Sequence, residues 1–336
     1  MVMANRFVWL FLFSVVGSFA LACNIPVFRY ALERWRPDPC QIVVFHAGPL
    51  SQEETQAIGS KLPQRVEGYG SKLMGNESDL LGRVSFAEVD TLEGEHKILW
   101  DRLTDRIEPK LPYMVVRGSF GPSKWLNVWE GMPNDLPNAN LFDSPAREEL
   151  SRRLLSGDSV VWVLLTGKDE EKNQKARKLL NEELPKIADE IQLPEGIGLP
   201  GSELYSEVPL LVKFSVLEIE KQDKKESFLV NLFSKIRSEE AAGGEPLVVP
   251  VFGRGRALEV IPAAELNPRL MTDLTLFLSG ACSCQVKDQN PGFDLLINCD
   301  WKQELFLEGT EPPPARSTGQ GDRTKQPQLL SIPPGR

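Results

Sequence analysis

The reactive side chains of this chain are few: five cysteines and two histidines. Three of the thiols, Cys282, Cys284 and Cys299, fall close together near the C-terminal end. Soft thiolates suit Cu(I) or zinc. Three sulfurs with no neighbouring histidine fall short of the four-ligand set of a structural zinc site, so a fourth ligand would have to come from elsewhere in the fold. The same thiols could instead form a disulfide, Cys282 or Cys284 to Cys299, clipping the last strand to its sheet. The remaining thiol would then be redox-active or would pair with Cys40. A bond between Cys282 and Cys284 would be strained and reducible, which makes these two the candidate redox and catalytic residues. His46 stands between a predicted strand and a helix start, where an anion could bind or where a polar residue simply edges a loop. His96 lies on the polar part of a predicted helix. Two histidines leave little material for a catalytic triad or a histidine-rich metal site.

The fifth thiol, Cys23, follows a different kind of segment. Arg6 is the only charge in the first 22 residues, and Phe7 to Val16 is an apolar run of the length of a signal-peptide core. It is short for a membrane span, which needs about 20 residues. Ala20-Leu21-Ala22 fits a small-x-small cleavage site. Residues 1–22 are therefore expected to be a signal peptide, and the protein to be exported to the periplasm or cell envelope. Ala-Leu-Ala-Cys also resembles a relaxed bacterial lipobox, with Ala20 in place of the usual large apolar residue. Cys23 is thus a lipidation candidate, the alternatives being plain secretion or disulfide pairing. Membrane association is expected only through such a lipid or a retained signal anchor. Without Cys23, four cysteines remain, an even number that suits an oxidising compartment. Cys23-Asn24-Ile25-Pro26 has the outline of a C-x-x-P redox site, but no strand precedes it.

The elements that would position these groups are legible from periodicity and punctuation. The chain has 336 residues, 41% of them hydrophobic and 25% charged, with a net charge of -9. That is length for two ordinary domains. No basic stripe with interleaved aromatics is present, so nucleic acid is not an expected partner. Phe28, Ala31, Leu32 and Trp35 make an amphipathic helix over 26–36. Ile42–Phe45 reads as a strand, Ser51 with Glu54 as a capping box, Val84–Val89 as a strand, 94–107 as a helix, and 113–116 with 125–129 as a hairpin after Pro112. Ser144-Pro145 opens a helix that closes at Gly157. The order then repeats: strand 160–165, a helix from Asp169, strand 210–219, helix 226–237, and a hairpin of 247–249 with 257–261 after Pro246. Asn267-Pro268 opens a second closing helix, which ends at Gly280. Phe293 to Trp301 reads as a last strand. From about 308 the chain is rich in Pro, Ser, Thr, Gly and charge, as a disordered tail is.

This order, with proline entering the third strand before a hairpin, resembles the thioredoxin-like fold. The resemblance covers 42–157 and 158–280, with the helix at 26–36 fitting the family's first helix in the first unit. It implies an α/β protein of two tandem thioredoxin-like units, each a mixed sheet flanked by helices. The expected division is 1–22 signal peptide, 23–157 first unit, 158–305 second unit with its cysteine-rich extension, and 306–336 tail. The resemblance also implies cis bonds at Pro112 and Pro246, facing the active-site turn. The CNIPVFRYALERW opening and CSCQVK ending further resemble uncharacterised secreted bacterial proteins, which bring no function with them. In thioredoxin-like enzymes a C-x-x-C stands where the first conserved strand turns into its helix, and the helix N-terminus activates the thiolate. Here those turns read His46-Ala47-Gly48-Pro49-Leu50-Ser51 and Thr166-Gly167-Lys168-Asp169, with no cysteine in either.

The expected function is an exported interaction or scaffold module with an envelope protein as partner. The alternative is a thiol-redox or metal-handling protein, working as a thiol-disulfide oxidoreductase or holding Cu(I) or zinc through Cys282 and Cys284. Three further features read as structural. Trp125 and Trp129, at period two, are expected on one strand face as packing rather than as a ligand platform. Gly253-Arg254-Gly255 is a hairpin turn. Asn76-Glu77-Ser78 is a coincidental sequon.

Overall fold

The structure is a computed structural model and describes residues 24–68, 80–120, 125–283, 286 and 291–312. Cys23, Cys284, Asn76 and the chain beyond 312 lie outside the described residues. Two mixed sheets flanked by helices make an α/β architecture. In the first, β1 (Cys40–His46) runs parallel to β3 (Gly82–Glu88) and antiparallel to β4 (Tyr113–Ser119), which pairs with β5 (Trp125–Gly131). The short β2 (Val66–Glu67) adds to β3. In the second, β6 (Val160–Leu165) runs parallel to β7 (Phe214–Ile219) and antiparallel to β8 (Leu247–Phe252), which pairs with β9 (Arg256–Ala257) and β10 (Ile261–Pro262). The four main strands thus follow one order in both units, the parallel neighbour on one side of the first strand and the antiparallel hairpin on the other.

The local signals place the helices as the sequence suggests. Ser51 caps α2 (Gln52–Gly59) in a full capping box with Glu54. Ser144 caps α4 (Pro145–Leu155), and Asn267 caps α8 (Pro268–Ser279), each with proline in the first turn. Asp169 caps α5 (Glu170–Glu190). The stops differ. Gly157 takes φ +97°, a conformation that favours glycine, whereas Gly280 is extended at φ -73°. Gly280 instead lends its carbonyl to the Val27 amide at 3.0 Å.

The layers decide more than the elements do. α3 (Gly94–Thr104) covers one face of the first sheet through Leu99 and Leu103 against Val43, Phe45 and Val115. The opposite face, with Ile42, Val44, Met114 and Val116, shares a single hydrophobic core with Val161, Val163, Leu165, Val249 and Val251 of the second sheet. Leu150 and Leu154 of α4, Phe228, Leu229, Leu232 and Phe233 of α6 (Ser227–Ile236) and Ala241 of the short α7 (Ser238–Ala242) fill the space between. The far face of the second sheet, with Val160, Trp162 and Leu164, is covered by α5 and α8. Such continuous burial couples the two units, because neither sheet can expose its inner face without losing apolar contact.

Several expectations are corrected. The first helix, α1 (Val27–Arg34), does not belong with the first unit: Ile25, Val27, Phe28, Tyr30, Ala31 and Trp35 pack with the second unit's outer core. The apolar stripe identifies a buried face but not which sheet buries it. Every residue from Val27 to Glu33 is buried, Arg29 and Glu33 included, as happens when a helix is enclosed on all sides. Leu111–Pro112 is cis, and it is the one cis peptide bond among the described residues, so the bond before Pro246 is not. The strand expected over 293–301 is only β11 (Phe293–Asp294), paired with β9, and Trp301 starts a short helix, α9 (Trp301–Leu305). Ordered packing continues past the expected boundary at 305, since Phe306 lies against the shared core and Arg254 sits 5.9 Å from its ring centroid. Finally, a register shift between Val116 and Arg117 puts Val128 as an extra residue in β5. Trp129 therefore faces the shared core while Trp125 faces the α3 side, under Arg117. A bulge adds one residue and reverses the face of everything beyond it.

Candidate functional site

Each unit has a turn from its first strand into the following helix, and both are already occupied by the chain's own groups. In the first unit the Ser51 hydroxyl accepts from the Glu54 amide at 3.2 Å, and Glu54 Oε2 accepts from the Ser51 amide at 2.8 Å and its hydroxyl at 2.9 Å. The Ser51 backbone N–H, and after it the hydroxyl, hold the Glu54 carboxyl below the usual carboxylate range. Two of the amides at the start of α2, those of Ser51 and Glu54, thus serve a carboxylate and a hydroxyl of the same turn. His46 is buried at the strand end, with its Nδ1 2.7 Å from the Gly48 carbonyl and its ring 6.3 Å from that of Phe86. Pro112, cis, precedes Tyr113, which pairs with Phe45 next to His46.

The second turn is closed more firmly. Thr166 and Gly167 are buried. The Gly167 amide donates to Asn173 Oδ1 at 2.7 Å, and Asn173 Nδ2 donates back to the Gly167 carbonyl at 3.2 Å. Lys168 N donates to the Gly244 carbonyl at 3.2 Å. A Cβ on Gly167 would come within 2.0 Å of that carbonyl oxygen and 2.9 Å of the Pro246 nitrogen. Backbone fills the position at which a side chain could act, and the Asp169 carboxylate takes the amides of Glu171 and Lys172.

The thiols are distributed between separate surroundings. Cys40 is fully buried at the start of β1, and burial pushes its thiol up to about 12. A thiol so raised carries almost no thiolate at neutral pH. Cys282 is buried among the outer core of the second sheet, with Trp162 and Leu278. Cys299, half-buried, packs against the shared core on the sheet's other face. The sheet separates them, and no disulfide joins any two of Cys40, Cys282 and Cys299. Of the two expected clips, Cys282 to Cys299 is not formed, and Cys284 to Cys299 falls outside the described residues. Cys284, the other half of the proposed redox pair and the third proposed metal ligand, is outside the described residues. Among the described residues no group of three or more His, Cys, Asp or Glu side chains is arranged to hold a metal ion. The Cys282 amide donates to the Ile25 carbonyl at 2.9 Å, and Pro26 bridges antiparallel to Ala281. The start of the described chain and the cysteine-rich segment are therefore neighbours, a pairing that no local sequence signal announces.

Two buried polar clusters escaped sequence reasoning. Arg29 Nε meets Glu33 Oε1 at 2.8 Å with both side chains excluded from solvent, while its two terminal nitrogens donate to the Val208 and Ser206 carbonyls at 2.6 Å each. Only their i, i+4 spacing on α1 could have marked them as a pair. Arg256 Nη1 lies 3.0 Å from Asp38 Oδ2 and 2.9 Å from Asp294 Oδ2, and Asp294 Oδ2 also accepts from the Asp38 amide at 2.5 Å. Burial raises the Asp294 carboxyl to about 6, with Arg256 opposing and Asp38 adding. These clusters tie the N-terminal segment and the C-terminal extension to the second sheet. Between α1 and the Gly157 turn, Arg29, Asp158 and Val208 line a cavity of about 10 Å³, room for about one water and no ligand. No helix among the described residues is long and apolar enough to cross a membrane. No family model matches the chain, and no curated protein matches it either.

Proposed function

We propose that this chain is an exported pair of thioredoxin-like units that acts by binding a protein partner at the cell envelope rather than by thiol-disulfide exchange. The fold assignment is supported by the common strand order of both sheets, with the first strand parallel to one neighbour and antiparallel to a hairpin on the other side. The signal-like first 22 residues support export. The observation that carries the functional reading is the closure of the second turn, where Gly244 and Pro246 backbone atoms fill the space that a reactive side chain on residue 167 would need. In the first turn the Glu54 carboxylate takes the Ser51 amide and the Ser51 hydroxyl takes the Glu54 amide, and the raised pKa and burial of Cys40 argue for a packing role.

Reduction of insulin by dithiothreitol, followed as turbidity, tests the reading. The mature protein is expected to leave the uncatalysed rate unchanged. Catalysed reduction that is lost in a Cys282→Ser/Cys284→Ser variant would overturn it in favour of redox work by the cysteine-rich segment.

A further inference from the structure

The two units differ on one half of one sheet face. Registers map Gln41, Ser85 and Arg117 of the first unit onto Val161, Leu217 and Val251 of the second: Gln41 pairs with Arg117 as Val161 pairs with Val251, and Val43 pairs with Ser85 as Val163 pairs with Leu217. In the second unit Val161 and Val251 are fully buried in the shared core. In the first unit the same half-face points away from the shared core, and α3 covers only its upper part, around Val43, Phe45 and Val115. Where the second unit needs aliphatic residues to meet its neighbour, the first displays a polar set on half-buried positions.

The chemistry of that set is specific. Arg117 Nη1 donates to Gln41 Oε1 at 3.1 Å. Its Nε is buried and has no acceptor. Among the described residues no carboxylate lies within ion-pair distance of it. Trp125, from the bulged edge strand, places its ring centroid 5.7 Å from the guanidinium carbon. Ser85 Oγ and His96 Nε2, on the same face, are 3.4 Å apart. Burial draws the Arg117 guanidinium below its ordinary pKa, Glu95 opposing and Arg102 adding. In this half-buried guanidinium the Nε atom is out of solvent and unpaired, which is costly to leave unmatched. Its Nε–Nη2 edge has the fork geometry that donates to two oxygens of a carboxylate or phosphoryl group, and because Nε is out of solvent contact the groups covering it must move to admit one.

We infer that the outer face of the first sheet is a binding site for an oxyanion-bearing small molecule, with Arg117 as the anion fork, Gln41 fixing its orientation, Ser85 and His96 as further hydrogen-bonding groups, and Trp125 as the wall that moves when the site fills. Carboxylate and phosphoryl ligands share this chemistry. The site lies apart from both strand-to-helix turns and does not depend on the functional reading given for them.

The full mature protein titrated with sodium acetate or inorganic phosphate, at constant ionic strength set with chloride, tests it by tryptophan fluorescence and thermal shift. A saturable response to at least one anion is expected, and which of the two responds identifies a carboxylate or a phosphoryl source. The Arg117→Gln variant should bind at least tenfold more weakly. A Trp125→Phe variant should lose the fluorescence change but keep the thermal shift. His96→Ala, which spares the fork, should weaken binding less than Arg117→Gln and serves if that variant fails to fold. No saturable response to either anion, or undiminished affinity in Arg117→Gln (in His96→Ala if Arg117→Gln does not fold), overturns the assignment.

Discussion

Replacing Glu33 by glutamine is expected to destabilise the whole molecule, not only the helix that carries it. The Glu33 carboxylate is fully excluded from solvent and accepts from Arg29 Nε at 2.8 Å, Arg34 Nη1 at 3.0 Å, and the Tyr205 and Ser206 amides at 3.2 Å. Glutamine keeps the shape, removes the charge opposite a buried guanidinium, and turns one acceptor into a donor facing other donors. Removing one member of a buried ion pair costs about 3–5 kcal/mol, because the remaining charge stays buried and unmatched. Arg29 keeps its two carbonyl acceptors, which places the expected loss toward about 3 kcal/mol. Since α1 closes the outer core of the second sheet and the two sheets share the other core, the loss should appear as one shifted transition rather than as a separate early one. Urea unfolding followed by tryptophan fluorescence and far-UV circular dichroism reads it, and a melting temperature lower by about 6 °C or more is expected from roughly 2 °C per kcal/mol in a chain of this size. A paired Arg29→Met/Glu33→Leu variant should lose less than the two single changes summed, because neither charge is then stranded. A Glu33→Gln protein within about 1 kcal/mol of the parent would refute the buried-pair reasoning, since that is the range of an exposed pair. Two separated transitions in the parent would refute the shared core.

Other consequences are as direct. Gly167→Ala should destabilise by about 1–3 kcal/mol, the range of overpacking, as its Cβ meets the Gly244 carbonyl; urea midpoints of the variant and parent decide it. Asp294 makes stability depend on pH: its folded pKa, about 6, is above the unfolded value, so its contribution is fully present below about 4 and lost as pH rises through about 6. At most about 3 kcal/mol is involved, and Asp294→Asn should flatten that part of a stability–pH profile measured by urea midpoints between pH 4 and pH 8, two conditions chosen to bracket the window on the order of the shift. Cys40 should resist alkylation by iodoacetamide in the native protein and react in urea, as mass spectrometry of the modified peptide would show; rapid native labelling would contradict its burial. A chain starting at Asp38 should lose cooperative unfolding, because the second unit's outer core then lacks Ile25, Val27, Phe28 and Tyr30.

The amino-acid sequence alone determined the local grammar of this protein. Ser51, Ser144, Asp169 and Asn267 cap the helices that their types and spacing indicate, and the paired closing helices mark two units with one element order. It also determined what the strand-to-helix turns contain, which is no cysteine. These features depend on contacts over a few residues, so they can be read along the chain. Tertiary structure alone decided which sheet receives α1, because an amphipathic stripe records that a face is buried and not against what. It decided that Cys282 and Cys299 lie on opposite faces of a sheet, since spacing along the chain does not report the side on which a segment returns. It put Trp125 and Trp129 on different faces through one bulged residue, which period two cannot anticipate. The links from Arg29 and Glu33 to Ser206 and Val208, the Arg256–Asp38–Asp294 cluster, and the Gln41–Arg117 pair joined residues tens to hundreds of positions apart. The cost of burying charge selects those partners only once the chain has brought them into one dry space.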